Sequence, residues 1–482
     1  MRSILNKIKN IPQTVKISVA YTICSILQKC LTFFTLPLFT RILTTEEYGQ
    51  FSVYSSWAAI VGIFVTLNLG YGSFSTAMAK FEKRRDEYIA SVQGISLLMV
   101  GLFLIVYFPF QKQWNNLFGM PTALVIVMIL ELLGQSTFLF WCTKKRFEFK
   151  YKSVVATTLL MSVASPALAF LLIAFSSEKG YARIIGYATV NIVVGLFFLV
   201  FNQYKGKKMF DKDFWKYSLS FAIPLIPYYL SQVVFNQSDR IMIDKICGTD
   251  KAAIYSVAYT VALILNFVLN AINNSYVPWF YQAIKEKKWE ESKKVASGIS
   301  LLMAVLLLGI IWLAPEIIYI MAGKAYYEAV WIIPPVAMSL LLLFYAQLFI
   351  NTAFYYEKKG FLVWASVWSA ILNIVLNAIF IPMAGYVVAG YTTFVSYILF
   401  ALLNYYGAQK HIKMDISMRN LYDLKVLTLV FAGFVVLSFG AMVLYSMFVV
   451  RYVVIAVTFV VVFLKRNTLI NYLKMFKKNE VE

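Results

Sequence analysis

The sequence predicts an all-α membrane protein that crosses the bilayer about fourteen times. Hydrophobic residues account for 61% of its 482 residues and charged residues for only 14%. Soluble proteins contain roughly 45–50% apolar and about 25% charged residues. The charged residues also cluster between long apolar runs. A soluble fold of this composition could not bury all of its apolar residues and would expose large apolar patches. Composition therefore excludes a soluble protein.

Each membrane helix requires about 20 mostly apolar residues, and fourteen such runs lie between charged breaks. In chain order they cover residues 17–37, 49–76, 89–109, 121–142, 154–175, 181–202, 217–237, 253–280, 296–320, 331–354, 361–382, 386–408, 425–446 and 448–464. The remaining sequence is too short for a large domain outside the membrane. The longest outer loop is expected at about 238–252, which is short for an enzyme that keeps its catalytic residues outside.

The net charge of +21 is explained by orientation in the membrane. With the N-terminus inside and the runs alternating, 34 of the 44 lysines and arginines fall in cytoplasmic segments. Nine fall in outer loops and Lys29 lies within the first run. This asymmetry follows the positive-inside rule. We expect a plasma-membrane protein with both termini cytoplasmic, and no nucleic-acid partner.

No residue pattern indicates metal, disulfide or ATPase chemistry. His411 is the single histidine, and the four cysteines form no C-x-x-C pair. The Gly-Lys pairs that begin at Gly206 and Gly323 lack the other residues of a phosphate-binding loop. We therefore expect no bound cofactor and no catalytic activity.

Two halves of the chain share a weak repeat. The triplet that begins at Phe51 corresponds to the one that begins at Tyr255, 204 residues later, and Arg-Ile pairs precede both. Proline also interrupts both the first run, at Pro37, and the seventh, at Pro224 and Pro227. Two similar halves of six spans indicate a parallel repeat, and breaks in corresponding spans point to a central substrate site.

The repeat predicts the domain organisation. Residues 1–204 form an N-terminal six-helix lobe, 205–216 a cytoplasmic linker and 217–410 a C-terminal six-helix lobe. Residues 411–482 supply two additional transmembrane helices and a basic cytoplasmic tail.

Two stretches resemble a known transporter family. "LPLFTRILTTEEYGQFSVYSSWAAIVGIFVTLNLGYGSFSTAMAKF" opens the first half, and "SDRIMIDKICGTDKAAIYSVAY" occupies the matching position in the second. They resemble the Wzx-type polysaccharide flippases of the multidrug/oligosaccharidyl-lipid/polysaccharide (MOP) exporter superfamily, over about residues 15–410. The resemblance implies two pseudo-symmetric lobes around a central cavity. It also implies transport of undecaprenyl-diphosphate-linked oligosaccharide units to the outer leaflet, for O-antigen, capsule or exopolysaccharide synthesis.

Lys29 and Glu131 are the first candidate site residues, because ionisable groups at bilayer depth are costly and usually functional. Lys29 lies about twelve residues into the first run, near the midplane, and Glu131 lies midway along the fourth. Two interpretations of Lys29 remain open: a counter-charge for the substrate diphosphate, or a structural pair with Glu131. Glu131 is also the candidate site for a coupling Na⁺ or H⁺.

Further substrate-binding candidates are arginines and asparagines. Arg41 and Arg240 lie at matching outer ends of the first and seventh spans, where they either guide a diphosphate outward or anchor the helix at the interface. Asn266, Asn270 and Asn273 share one face of the eighth span, which suits sugar hydroxyls as well as helix packing. The pair Asn373 and Asn377 in the eleventh span is interpreted as helix packing.

Three function classes are compared with these features. A lipid-linked oligosaccharide flippase accounts for Lys29, and it would work beside the polymerase and glycosyltransferases of its pathway. A cation-coupled multidrug exporter of the same superfamily would prefer carboxylates such as Glu131. A membrane polymerase or glycosyltransferase would require a longer outer loop.

Overall fold

The computed structural model describes residues 13–357, 360–412 and 417–464. Over these residues the regular elements are helices, and each of the fourteen predicted spans contains one. Twelve are long and apolar enough to cross a membrane. The other two are the second span, Thr45–Thr66, and the last, Phe448–Leu464. The predicted fold class is confirmed, and the chain is a multi-pass membrane protein.

The helices are numbered here in chain order. They are α1 Gln13–Ile42, α2 Thr45–Thr66, α3 Ser73–Lys80, α4 Arg85–Tyr107, α5 Gln111–Phe118, α6 Thr122–Phe147, α7 Tyr151–Phe175, α8 Lys179–Gly206, α9 Lys212–Cys247, α10 Thr249–Ala262, α11 Asn266–Lys285, α12 Trp289–Trp312, α13 Ala314–Met321, α14 Ile333–Tyr355, α15 Gly360–Ala384, α16 Val388–Ile412, α17 Met418–Leu421, α18 Leu424–Val443 and α19 Phe448–Leu464.

The described residues form two compact units, one up to Gln237 and one from Ser238 onward. The division falls inside α9, whereas the sequence places it in the linker 205–216. The predicted lobe boundaries stay a prediction. The outer loop expected at 238–252 is corrected, because α9 continues to Cys247 and α10 begins at Thr249, with Gly248 between them. Charged residues in this stretch suggested a loop, yet they lie on helices.

The second helix of each half begins at a threonine, Thr45 in α2 and Thr249 in α10, 204 residues apart. Both helices are followed by a break. After α2, Leu67 and Asn68 adopt left-handed backbone conformations, each with φ 48°. After α10, a 3₁₀ turn at Leu263–Leu265 leads into α11. The spans that break are therefore the second and the eighth.

The predicted interruptions of the first and seventh spans are corrected. Helix α1 runs through Pro37, and α9 runs through both Pro224 and Pro227. A proline removes one backbone hydrogen bond, and membrane helices tolerate this where neighbouring groups satisfy the freed backbone.

In the N-terminal unit, α6 and α8 cross in close backbone contact. A Cβ atom added to Gly195 would lie 2.0 Å from the Cα atom of Gly134. The Thr137 hydroxyl donates to the Gly195 carbonyl at 2.8 Å across the same crossing. Small residues allow such approach between membrane helices, and this crossing fixes the helices that form the site described below.

Burial differs sharply between helices. In the apolar part of α1 only 17% of residues are buried, against 83% in α14. The last two helices belong to the C-terminal unit, where α18 and the 3₁₀ turn after it, Leu444–Ser446, contact neighbouring helices. The Tyr345 hydroxyl donates to the Leu427 carbonyl at 3.0 Å, and Tyr445 donates to Ile311 at 2.7 Å. The apolar sequence of these helices gave no sign of such contacts.

Candidate functional site

Two adjoining cavities of about 430 and 440 Å³ lie within the N-terminal unit. They share Phe138, Thr158 and Asn191, and together we call them the polar hollow. Side chains from α1, α6, α7 and α8 line the first cavity; its polar residues are Gln28, Lys29, Thr32, Thr35, Thr158, Ser162, Ser165, Tyr187 and Asn191. Hydroxyl and amide groups thus dominate its polar lining, among otherwise apolar membrane helices.

Lys29 lies in the wall of the first cavity. Its neighbour Gln28 donates from Nε2 to the Ser162 hydroxyl at 3.1 Å, which ties α1 to α7 beside the ammonium. The sequence predicted that Lys29 would face either a polar cavity or a carboxylate. The structure places it in the cavity, and its role as a counter-charge stays a prediction.

Arg146 lines the second cavity, and the sequence analysis counted it only as an orienting charge. Its guanidinium lies 5.0 Å from the centre of the Tyr21 ring. The neighbouring Lys144 and Lys145 both pair with Glu148. Among the described residues, no carboxylate lies within 4 Å of Arg146.

Helical spacing could have identified this arginine. Gln135, Leu139, Cys142 and Arg146 recur at intervals of four, three and four residues, so they share one face of α6, and all four line the second cavity. The signal was masked by the basic cluster that contains Arg146.

Glu131 is a buried carboxylate adjoining the hollow, with 8% of its surface exposed. Its Oε2 accepts a hydrogen bond from the Tyr54 hydroxyl at 2.7 Å. Its Oε1 accepts from Asn191 at 2.8 Å and from Gln135 at 3.0 Å. These three neutral donors are its partners among the described residues, so Glu131 is not the counter-ion of Lys29. Two of these donors also border the hollow, since Asn191 lines both cavities and Gln135 lines the second.

A second buried carboxylate lies in the C-terminal unit, where Asp239 is 1% exposed. Asn377 donates to its Oδ1 at 2.6 Å, and the hydroxyls of Thr393 and Tyr255 donate to its Oδ2, the former at 2.7 Å. Asn373 extends the network, since its Nδ2 donates to Thr393 at 3.2 Å. We call these five residues the Asp239 cluster.

The Asp239 cluster can accommodate one unit of positive charge. The hydroxyl and amide groups of the cluster can rotate so that their oxygen atoms point toward a bound cation. Carboxylate, hydroxyl and amide oxygens are suitable ligands for a hard cation. Alternatively, the carboxylate accepts a proton. Asp239 is not among the site residues that the sequence predicts. Asn373 and Asn377 are predicted to serve helix packing; Asn377 also binds this carboxylate directly, and Asn373 supports it through Thr393.

The two predicted guide arginines differ in surroundings. Arg41 is exposed in the last turn of α1. Arg240 is half-buried against α10: its Nε donates to the Ser256 hydroxyl at 3.1 Å, and its guanidinium lies 4.6 Å from the centre of the Tyr259 ring. For both arginines, the role of guiding the substrate outward stays a prediction.

The asparagines of α11 are not one uniform surface. Asn270 donates to the backbone carbonyl of Asn266 at 2.8 Å and is exposed. Asn273 accepts a hydrogen bond from Asn351 of α14 at 2.7 Å, so it joins two helices. Substrate binding by these residues remains a prediction, with Asn273 already engaged in packing.

The sequence matches a known family. A family model described as "Polysaccharide biosynthesis protein" matches residues 15–284. The chain is 27% identical over 375 residues to Lsg locus putative protein 1 of Haemophilus influenzae, covering 74% of this chain and 89% of that protein. It is 23% identical over 316 residues to the succinoglycan biosynthesis transport protein ExoT of Rhizobium meliloti, covering 64% and 62%.

Solved structures share the fold. The lipid II flippase MurJ, in an inward closed conformation, aligns with a TM-score of 0.66 at 14% identity, covering 94% of this chain and 99% of that one. An inward-facing multidrug transporter of the MATE family aligns with a TM-score of 0.59 at 12% identity, covering 80% and 95%. At such low sequence identities the structural similarity establishes the fold of this chain but not the molecule that it transports.

Proposed function

The chain belongs to the polysaccharide biosynthesis protein family, and on that premise we propose that it flips undecaprenyl-diphosphate-linked oligosaccharide from the cytoplasmic to the outer leaflet. The names of two similar proteins, a succinoglycan biosynthesis transport protein and a lipid II flippase, support this proposal. The observation that carries it is the polar hollow with Lys29 and Arg146 in its walls.

The hollow matches the chemistry of such a head group. A diphosphate requires positive charge to enter a membrane protein, because an uncompensated charge at bilayer depth costs several kcal/mol. Lys29 offers a point charge and Arg146 a planar fork suited to phosphate oxygens. The serine, threonine and asparagine side chains of the lining supply hydrogen-bond partners for sugar hydroxyls. Nothing in this arrangement requires a covalent step, so we propose transport without catalysis.

The membrane potential favours outward movement of this cargo. One charge crossing 100 mV gains about 2.3 kcal/mol, so a diphosphate carrying about two negative charges gains roughly twice that. An added coupling ion is therefore optional. We propose Glu131 and the Asp239 cluster as the two candidate sites for coupling Na⁺ or H⁺, because each is a buried carboxylate held by hydroxyl and amide groups.

The second candidate function is a cation-coupled multidrug exporter. The two buried carboxylates favour it, since a cationic drug would be attracted to them. The hollow favours the flippase, since both charged side chains in its lining are cations. The two functions predict opposite cargo charge.

The test is translocation by purified protein in liposomes that contain fluorescent undecaprenyl-diphosphate oligosaccharide, read by access of a membrane-impermeant quencher. We expect Lys29→Ala to slow translocation at least about tenfold, as expected for loss of a charge-assisted hydrogen bond, and Lys29→Arg to retain part of the rate. Lys16→Ala on the same helix is the matched control, because Lys16 does not line the hollow. A normal rate with Lys29→Ala would contradict the assignment. Transport of an organic cation in place of the lipid would support the exporter.

We further propose a plasma-membrane location with both termini cytoplasmic, alongside the glycosyltransferases and polymerase of the same pathway. Cysteines introduced at Lys208 and Lys288 should react only from the cytoplasm. Cysteines introduced at Lys112 and Lys324 should react from outside, and inversion at any position would show a miscounted span.

A further inference from the structure

A separate basic cavity of about 770 Å³ lies in the C-terminal unit, where α12 and α18 both begin. Its walls are held firmly. The Ser292 hydroxyl of α12 donates to the Leu421 carbonyl of α17 at 3.0 Å. Tyr422, which is fully buried, donates from its hydroxyl to the Leu348 carbonyl at 2.9 Å. The cavity is therefore a fixed feature of this helix junction.

The lining of this cavity carries a net positive charge. Lys293, Arg419 and Lys425 line it together with a single carboxylate, Asp423. Asp423 is already engaged, because its Oδ1 accepts the Val426 backbone N–H at 3.1 Å as the cap of α18. Among the described residues, no carboxylate lies within 4 Å of Arg419 or Lys425.

Lys293 adds a partly neutralised charge. Its ammonium contacts Glu290 at 2.7 Å, but the Glu290 side chain is 75% exposed. Surface ion pairs of this kind contribute about 0–1 kcal/mol, so Lys293 can turn to another anion at little cost. The cavity thus presents three cations to an incoming ligand.

One side of the cavity is apolar. Leu424 and Leu429 belong to the lining, and Leu429 is 71% exposed. The same helix, α18, also exposes Val436 and Val443 further along. A cationic rim that continues into an exposed apolar helix face suits an amphiphile with an anionic head and hydrocarbon tails. A soluble polyanion or an acidic peptide would leave the apolar side uncovered.

We propose that this cavity binds the head group of an anionic membrane phospholipid, with its acyl chains along α18. Basic pockets at the cytoplasmic ends of membrane helices bind such head groups, and in the orientation proposed above, on which this step rests, the junction lies on the cytoplasmic side. Arg419 supplies the planar fork for phosphate oxygens, and the two lysines supply point charges. The bound lipid bridges α12 to α18 and is distinct from the transported molecule.

The experiment measures lipid binding to the purified full-length protein in detergent by native mass spectrometry. The probes are phosphatidylglycerol, phosphatidylcholine, inorganic phosphate and undecaprenyl phosphate. The test variant combines Lys293→Gln, Arg419→Gln and Lys425→Gln. The matched control combines Lys285→Gln, Lys287→Gln and Lys294→Gln, which removes three charges from the same end of the unit outside the cavity.

We expect the test variant to bind phosphatidylglycerol about a hundredfold more weakly, because each basic residue near a membrane surface contributes roughly fivefold. The control should stay within about threefold of the parent, and Arg419→Lys alone should lie between the parent and the test variant. The thermal transition of each variant without lipid checks that it folds. If the triple variant unfolds, Arg419→Lys and Arg419→Gln carry the test.

Four results would overturn the proposal. The first is that the test variant and the control bind phosphatidylglycerol equally well. The second is that the parent protein binds phosphatidylcholine as tightly as phosphatidylglycerol. Displacement of the lipid by millimolar inorganic phosphate would assign the cavity to a soluble anion. Preferential binding of undecaprenyl phosphate, lost in the test variant, would assign it to the cargo.

Discussion

The ion pair between Arg451 of α19 and Glu316 of α13 should respond very unequally to loss of its two members. Arg451 is 2% exposed and donates from Nη2 to Glu316, whereas its Nε and Nη1 have no hydrogen-bond partner within the described part of the chain. The Glu316 side chain remains 27% exposed. One carboxylate therefore compensates a nearly fully buried guanidinium.

The expected magnitudes follow from this asymmetry. Glu316→Ala strands the Arg451 charge, and breaking a buried pair in this way costs about 3–5 kcal/mol. Arg451→Met leaves Glu316, which water can still reach, and should cost about 1–2 kcal/mol. Replacing both, with Glu316→Leu and Arg451→Met, should return the stability to within about 1 kcal/mol of the parent, since apolar substitutes of similar volume often match a buried pair.

Thermal unfolding in detergent, followed by a fluorescent thiol probe or by circular dichroism, measures these differences. A unit of this size shifts by roughly 2–4 °C per kcal/mol, so Glu316→Ala should lower the transition by about 10 °C. The double variant should lie close to the parent. Equal losses for the two single variants, or a double variant as unstable as the sum of both, would refute the reasoning.

Three further outcomes are expected. Gly195→Ala should lower the unfolding temperature, because the added Cβ would meet the Gly134 backbone. Gly101→Ala should not lower it, because nothing lies within 4 Å of the added atom. Equal unfolding temperatures of the two variants would contradict the close crossing of α6 and α8. Arg146→Gln should slow translocation by about tenfold or more, while Lys145→Gln, which removes a charge paired with Glu148, should leave the rate near normal. Asp239→Asn should abolish any response of transport to Na⁺ or pH gradients at normal protein abundance, and an unchanged gradient response would remove the Asp239 cluster from consideration.

The helices were predictable because apolar length alone identifies a membrane span. The same signal misplaced the breaks. Pro37 and Pro224 suggested interruption, yet both helices continue through them, as membrane helices can where neighbouring groups satisfy the freed backbone. The actual break after Thr66 depends on the left-handed conformations of Leu67 and Asn68. Asparagine adopts this conformation more readily than most residues, but leucine rarely does, so the residue types alone did not predict the break.

The candidate site was predictable only in part. Lys29 stood out because a charge within an apolar run is costly. Asp239 did not, because its burial depends on Asn377 and Thr393, more than 130 residues away in sequence. Its charged neighbours suggested a surface loop. Pairing between distant helices leaves no trace in a local pattern, so the distant partners of both buried carboxylates became known only from the fold; Gln135, four residues from Glu131 on the same helix, is the local exception.

The uneven burial of the helices determines which of them can change in sequence among related proteins. Lys29 stands on α1, where few side chains are buried, while α14 is enclosed on nearly every side. Substitutions along the exposed part of α1 remove few packing contacts, so the chemistry of this wall can change without unfolding the protein. Selection for a new surface sugar can therefore act on α1 while α14 stays constrained. Related chains that carry different glycans should differ most in α1 and least in α14.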